Sequence, residues 1–191
     1  MAGTRILGAP NASVHRAQAW ARANGGTPTF VRLAPLYWRL ARPRGIRPEI
    51  AYAQAAKETA FGRFGGVLDA SYHNPCGLKK TAGGDNYDPN AHRRFRTWRQ
   101  GVIAHLDHLA LYAGARGYPK RATPDPRHFS FLRGRAPTVQ ALGGAWAPSE
   151  SYGDQVLAHA RGIGLAPSPP PEPPVEPLPP IEPHWVEHVA I

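Results

Sequence analysis

The sequence predicts an α+β fold, mostly helical, with helices around a small β or loop lobe and a cleft between them. Three observations carry that expectation. Several segments repeat apolar residues at three- and four-residue steps, the period of one helix face. Between two of them, residues 65–95 are rich in Gly, Asn, Asp and Pro and show no helical period, so they read as loops with a small hairpin. Finally, 191 residues, 42% of them hydrophobic, are enough for one compact domain with its own core. No apolar run reaches the eighteen or so residues of a membrane span.

The elements follow in order. Ser13 caps a short helix that ends near Gly25-Gly26. Residues 29–42 carry Phe30, Leu33, Leu36, Tyr37 and Leu40 at helical spacing, with Pro35 starting or kinking the main run. The stretch 47–64 holds the next helix, with Pro48 at the first helical position, Glu49 complementing the positive end of the dipole, and a glycine-rich turn from Gly62. Thr97 and Gln100 make a capping-box pattern before a helix whose Val102, Ile103, Leu106, Leu109 and Ala110 form a core face. Residues 125–142 read as irregular with one short helix. Ser151 with Asp154 gives a weaker capping signal for a last helix ending at Gly162 or Gly164.

One carboxylate stands out. Ile50, Ala53, Gln54, Lys57, Glu58 and Phe61 share a helix face that is small and apolar, yet it ends in Glu58, just before Gly62. An acid beside Ala55, Phe61 and a glycine-rich turn is partly desolvated, so its proton is held to higher pH. Such a group serves as a general acid near neutrality. The plainer alternative is a surface residue paired with Lys57 or Arg63.

The chain carries a net charge of +10. The last 25 residues hold four acids and no Lys or Arg, so residues 1–166 carry +14. A body of that charge is drawn to polyanions. RFRTWRQ interleaves basic and aromatic residues, but no helix-turn-helix, zinc-finger or RNP signature accompanies it, and specific nucleic-acid binding is not expected. The single cysteine, Cys76, excludes an internal disulfide and a cysteine-rich zinc site, and is expected to be a small buried apolar residue. The first twenty residues lack the charge and apolar pattern of a signal peptide. Residues 167–183 hold ten prolines and read as an extended polyproline-II spacer. The following His184-Trp185-Val186-Glu187-His188 has the spelling of a zinc-peptidase motif, but no helix presents it and no third ligand follows.

Three blocks, AQAAKETAFGRFGG, SYHNPCGLKK and GGAWAPSESYGDQVL, occur in order over residues 45–163. Together they resemble the glucosaminidase domain of bacterial cell-wall hydrolases, glycoside hydrolase family 73, of endolysin and autolysin type. In that family a helix ends in a Glu-Thr-Gly-like step, an Asn-x-x-Gly-Ile-Lys loop follows, and a late Tyr opens the last helix. Ala60 stands where the family often has Gly, and Cys76 where it often has a large apolar residue. The resemblance implies a lysozyme-like fold and a division into N-terminal helices (1–44), a catalytic domain (45–166) and an acidic Pro-rich tail (167–191).

It also implies roles. Glu58 becomes the general acid of a metal-free, cofactor-free endo-β-N-acetylglucosaminidase that acts on peptidoglycan and its anionic wall polymers as a monomer. The second group is a less constant carboxylate from the loop lobe, for which Asp88 and Asp85 are candidates, with Asp69 behind them. Their ordinary reading is turn formation. Substrate assistance by the 2-acetamido group needs no second carboxylate. Tyr152 matches the late tyrosine and would orient the acetamido group or a water. Asn74 would bind sugar or hold its loop, and Tyr72, Trp146 and Phe95 would offer flat faces to sugar rings or fill the core. His105 and His108, three apart, are expected to pack on the helix surface rather than bind metal. The rival readings are a muramidase or lytic transglycosylase, and a non-catalytic wall-binding module. A wall hydrolase without a signal peptide is expected to reach its substrate through lysis, a holin, a spore or a particle.

Overall fold

The computed structural model describes residues 3–166. The expected spacer at 167–183 and the histidine-containing segment after it lie outside the described residues. Five α-helices occur among the described residues: α1 (Val14–Ala23), α2 (Pro28–Ala41), α3 (Pro48–Thr59), α4 (Trp98–Tyr112) and α5 (Tyr152–Leu165). The chain is mostly helical outside its long loops, and none of these helices is long and apolar enough to cross a membrane.

Local chemistry sets most helix ends. The Ser13 hydroxyl accepts from the Arg16 N–H to start α1, and Thr27 does the same for Phe30 at α2, with Pro28 at the first helical position. Pro35 neither starts nor ends α2, which runs through it with the ring on the exposed side. Thr97 caps α4, while the Gln100 side chain reaches back to the Arg96 N–H, one residue beyond a regular capping box. At α5 the expected Ser151–Asp154 box does not form. The Ser151 backbone is already helical, and its hydroxyl meets Ser149 and Gln155 instead. That helix continues through both glycines to Leu165. Between residues 125 and 142 there are two 3-10 turns, Ser130–Leu132 and Gln140–Leu142, rather than one short helix.

α3 is the axis of the core. Every residue from Pro48 to Ala56 is buried. Alanines at 51, 53, 55 and 56 let α2 and α5 approach its backbone closely, while Tyr52 supplies the bulk. Phe30 of α2 stacks on Tyr52 at 4.5 Å between ring centroids, and the Tyr52 hydroxyl donates to the Phe30 carbonyl. Trp20 of α1 lies 4.9 Å from Phe61, just past the end of α3. The N-terminal helices therefore share one core with the motif-bearing helices rather than sitting outside it.

Residues 65–95 form a loop lobe. The expected hairpin is reduced to one isolated antiparallel bridge, Lys79 with His92, flanked by hydrogen bonds from Lys80 N–H to the Ala91 carbonyl and from Arg93 N–H to the Leu78 carbonyl. Gly83 and Gly84, both at positive φ, and Pro89 keep the ladder from extending. The lobe is anchored in two ways. Cys76, Leu78 and Phe95 make a small apolar cluster on Ala104 of α4. Beside it, the His73 carbonyl rests against the bare backbone of Gly101, where an added Cβ would stand 1.8 Å from the oxygen.

No flexible side chain can yield at that contact, because the neighbour is backbone. Gly101→Ala is expected to lower stability by about 2 kcal/mol or more, above the middle of the range for overpacked cores. Urea unfolding measures it. A variant as stable as wild type would mean that the lobe does not seat on α4 in this way.

Candidate active site

Glu58 lies in the last turn of α3, and the chain then bends sharply. Ala60, Phe61, Gly62 and Phe64 all have positive φ, between 47° and 80°, three of them without the freedom of glycine. The turn is held by the Thr59 hydroxyl, which accepts from the Gly62 N–H, and by Arg63, whose guanidinium donates to the Asn24 and Gly25 carbonyls. Arg63 is thus not the partner of Glu58. Lys57 points to Gln155, which it meets at 2.5 Å.

The carboxyl of Glu58 faces a cleft of 550 Å³ between the loop lobe and the helical body. Among the described residues Glu58 is the only carboxylate lining it; Lys79, His92, His108, Arg127 and Trp146 are among the other walls. Gly77, in the Asn-x-x-Gly loop, is so placed that a Cβ there would stand 3.8 Å from Glu58 Oε2. A glycine at that position leaves the acid open to the cleft. A second pocket of 170 Å³, between Phe30, Phe64 and Trp98, is apolar and has no titratable side chain on its walls.

Behind the carboxyl runs a line of buried polar side chains from four helices. Tyr152 donates to Glu58 Oε1. Gln54 Nε2 donates to the Tyr152 hydroxyl oxygen at 2.9 Å. Gln54 Oε1 meets His105 Nε2 at 3.0 Å, and His105 Nδ1 meets the Tyr37 hydroxyl at 2.8 Å. Burial pushes the His105 pKa down to about 3, so its ring is neutral and has one N–H to give. Gln54 presents its carbonyl oxygen, so that N–H is on Nε2 and Tyr37 donates to Nδ1. Every donor in the line therefore points toward Glu58.

Burial raises the pKa of Glu58; the Tyr152 hydrogen bond, the charge of Lys57 and the nearby Trp146 indole oppose it, and burial prevails. The tyrosine hydroxyl is itself shifted far upward, by burial first and by the adjacent acid second, and stays protonated. The arrangement is a carboxylic acid open to a cleft on one side and clamped by fixed donors on the other. It can give a proton to a group bound in the cleft.

The other candidates fall elsewhere. Trp146 lines the cleft beside Glu58. Asn74 is fully buried and uses its whole amide within the lobe, donating to the Leu78 and Arg93 carbonyls and accepting from the Leu78 N–H. It holds the loop, and no part of it is left to bind sugar. Phe95 is 2% exposed in the small cluster and fills the core rather than offering a face. Tyr72 is buried beneath the Arg94 guanidinium and donates to the Pro89 carbonyl. Asp85, Asp88 and Asp69 are exposed, each accepting from an amide two residues on, as turn and cap residues do. None of the three lines the Glu58 cleft. Cys76 is buried as expected.

His105 and His108 are not surface residues; both are buried in hydrogen-bonded networks. The sequence marks Gln54 only as one member of a helix face, and the spacing of the histidines suggests only surface packing or metal binding. The available signal was the four-residue spacing of Gln54 and Glu58, which stacks a buried amide one turn behind the acid. Among the described residues no group of acidic, histidine and cysteine side chains forms a metal cluster.

A family model described as glucosaminidase, mannosyl-glycoprotein endo-beta-N-acetylglucosaminidase, matches residues 34–165. A protein of Borreliella burgdorferi (strain ATCC 35210 / DSM 4680 / CIP 102532 / B31), named only as uncharacterized, is 33% identical over 108 residues, which cover 56% of this chain and 50% of that protein. The chain thus spans about half the length of this relative. No solved structure matches it.

The raised pKa of Glu58 has a consequence for stability. The folded chain holds this proton more tightly than the unfolded chain, so its contribution is fully present below the unfolded value, near 4.5, and is lost as pH rises through the raised folded value. Glu58→Gln removes that dependence. Unfolding curves against pH are expected to show wild type losing ground to the variant as pH rises above about 4.5. Two curves that stay parallel would mean that Glu58 is not desolvated.

Proposed function

The chain belongs to the glucosaminidase family, and from that premise we propose that it hydrolyses peptidoglycan by cutting the β-1,4 bond after N-acetylglucosamine. The family makes it a glycoside hydrolase with a glycan substrate; the finer reading rests on the site. The observation that carries it is one partly buried carboxyl, raised in pKa, and the sole acid among the described residues on the wall of a basic cleft. Glu58 gives its proton to the oxygen that leaves C1, which is the step that every such hydrolysis requires. Tyr152 holds one carboxyl oxygen so that this proton lies on the cleft side, and its hydroxyl stabilises the carboxylate that remains after transfer.

The helical body with a loop lobe across a cleft is read as a lysozyme-like arrangement. Lys79 and Arg127 on the cleft wall suit a glycan whose muramyl groups and stem peptides carry carboxylates. The net +14 of residues 1–166 favours anionic wall polymers more broadly. In this reading the protein works at the bacterial cell wall.

Purified peptidoglycan tests the proposal. Wild type is expected to release fragments with N-acetylglucosamine at the reducing end, identified by mass spectrometry. N-acetylmuramic acid ends would make it a muramidase, 1,6-anhydro ends a lytic transglycosylase, and binding without release a wall-binding module. Glu58→Gln is expected to fold and bind wall while losing at least about a hundredfold in turnover, the usual scale for a general acid. Asp85→Asn and Asp88→Asn are expected to stay near the wild-type rate, since their carboxylates hold turns. A folded Glu58→Gln with more than a tenth of wild-type activity would overturn the assignment.

A further inference from the structure

A hydrolase of this kind also needs a group for the attacking water, and the loop acids do not face the cleft. His108 does. Its Nδ1 lies 2.8 Å from Asp125 Oδ2. Asp125 is fully desolvated at its side chain and receives a second imidazole, His128 Nδ1, at 2.9 Å on the same oxygen. The Arg127 N–H donates to its other oxygen at 2.9 Å. Burial alone would raise the Asp125 pKa, but the His108 and His128 hydrogen bonds and the amide bring it down to about 2. An ionised carboxylate can only accept, so His108 presents Nδ1–H to it, and in the neutral tautomer this leaves the lone pair on Nε2.

The two histidines on Asp125 differ in what remains. His128 Nε2 accepts the Lys120 N–H at 3.0 Å, so both of its nitrogens are engaged. His108 Nε2 has no hydrogen-bond partner among the described residues, is not a sealed orphan, and belongs to a residue lining the same cleft as Glu58. Trp146 lines the cleft with both groups, and its ring lies 5.1 Å from the His108 ring at 74°. Acid and base of an inverting glycosidase stand about 6.5–9.5 Å apart, leaving room for one water. Glu58 and His108 line one cleft of 550 Å³, which has room for such a water.

We propose that His108, oriented by Asp125, is the base for the attacking water, and that this chain hydrolyses its glycosidic bond by a single inverting displacement. This rests on the reading of Glu58 as the acid. The water oxygen forms the bond to C1 while the bond from C1 to the leaving oxygen breaks. The Glu58 proton goes to the leaving oxygen, and one water proton goes to His108 Nε2. His108 then carries the positive charge beside the Asp125 carboxylate and Glu58 is ionised, and exchange with solvent restores both. Asp125 is a positioning residue: it fixes the tautomer and stabilises the imidazolium.

Two measurements on the full chain test this with a soluble oligosaccharide of alternating N-acetylglucosamine and N-acetylmuramic acid. In the first, proton NMR of the newly formed wild-type product is expected to show the α-anomer before mutarotation. The β-anomer would overturn the proposal, since it marks a covalent nucleophile or assistance by the acetamido group, while leaving Glu58 as acid untouched. In the second, His108→Ala is expected to lose at least about a hundredfold in turnover, the lower end of the usual range for an acid–base group. Added azide, which needs no base, should restore turnover and yield the α-glycosyl azide. A folded His108→Ala that keeps a tenth of the activity, or that azide does not rescue, would overturn it. Should that variant not fold, the wild-type anomer decides. A wild type that releases no N-acetylglucosamine ends would instead defeat the underlying functional reading, and the base assignment with it.

Discussion

The line Tyr37–His105–Gln54–Tyr152–Glu58 is the constraint around which this molecule is arranged. Its members come from α2, α4, α3 and α5, so it crosses the core and ties four helices together. Tyr37, His105, Gln54 and Tyr152 are at most 4% exposed. Water cannot replace a lost partner at such a depth, and each unpaired buried group costs about 1–3 kcal/mol. The network therefore favours the helix packing that pairs all five. Burial keeps His105 neutral, and a neutral imidazole has one donor and one acceptor. That asymmetry gives the line its direction. All of its donors face the acid, so the fold holds the carboxyl in place without giving it a full charge to pair with.

The surrounding features follow from the need to hold that line and still leave Glu58 open. α3 is lined by alanines because its neighbours must come close enough for Gln54 to touch both His105 and Tyr152. The helix ends abruptly after Thr59, in a turn where Ala60 and Phe61 occupy left-handed backbone at a cost of order 1 kcal/mol each. Strain of this sort persists where the surroundings fix the chain, here through Thr59, Arg63 and the Trp20–Phe61 contact. On the far side of the cleft, Asn74 shapes the loop so that Gly77 faces the acid.

Much of this was legible in the residues. The helix ends at Ser13, Thr27 and Thr97 are local events, set by a hydroxyl and the amides after it, and local chemistry can be read from a local string. Glu58 was visible because a charged residue closing an apolar, alanine-rich face is an anomaly within a single helix. The loop lobe was visible in its glycines and prolines. What the sequence concealed is long-range. Gln54 and His105 are 51 positions apart and His108 and Asp125 are 17 apart, so no spacing rule joins them. Asn74, Phe95 and Tyr72 carry groups that suit sugars, and only their burial shows those groups to be spent on the protein. Asp85 and Asp88 illustrate the same point on the surface, where a turn amide two residues away uses the carboxylate. Ser151 failed as a cap because its own backbone had already turned helical.

The central claim is that Glu58 holds its proton above the ordinary range while fixed donors grip it. Carbon-13 NMR of labelled glutamate side chains, with Glu58 assigned by its absence in Glu58→Gln, reads that property directly. The account predicts a carboxyl that titrates above its usual value of about 4.5 in the wild type. It predicts a further upward move in Tyr152→Phe, because the lost hydroxyl favoured the charged form. A Glu58 that titrates at or below the usual value, or that does not respond to the loss of the Tyr152 hydroxyl, would contradict it.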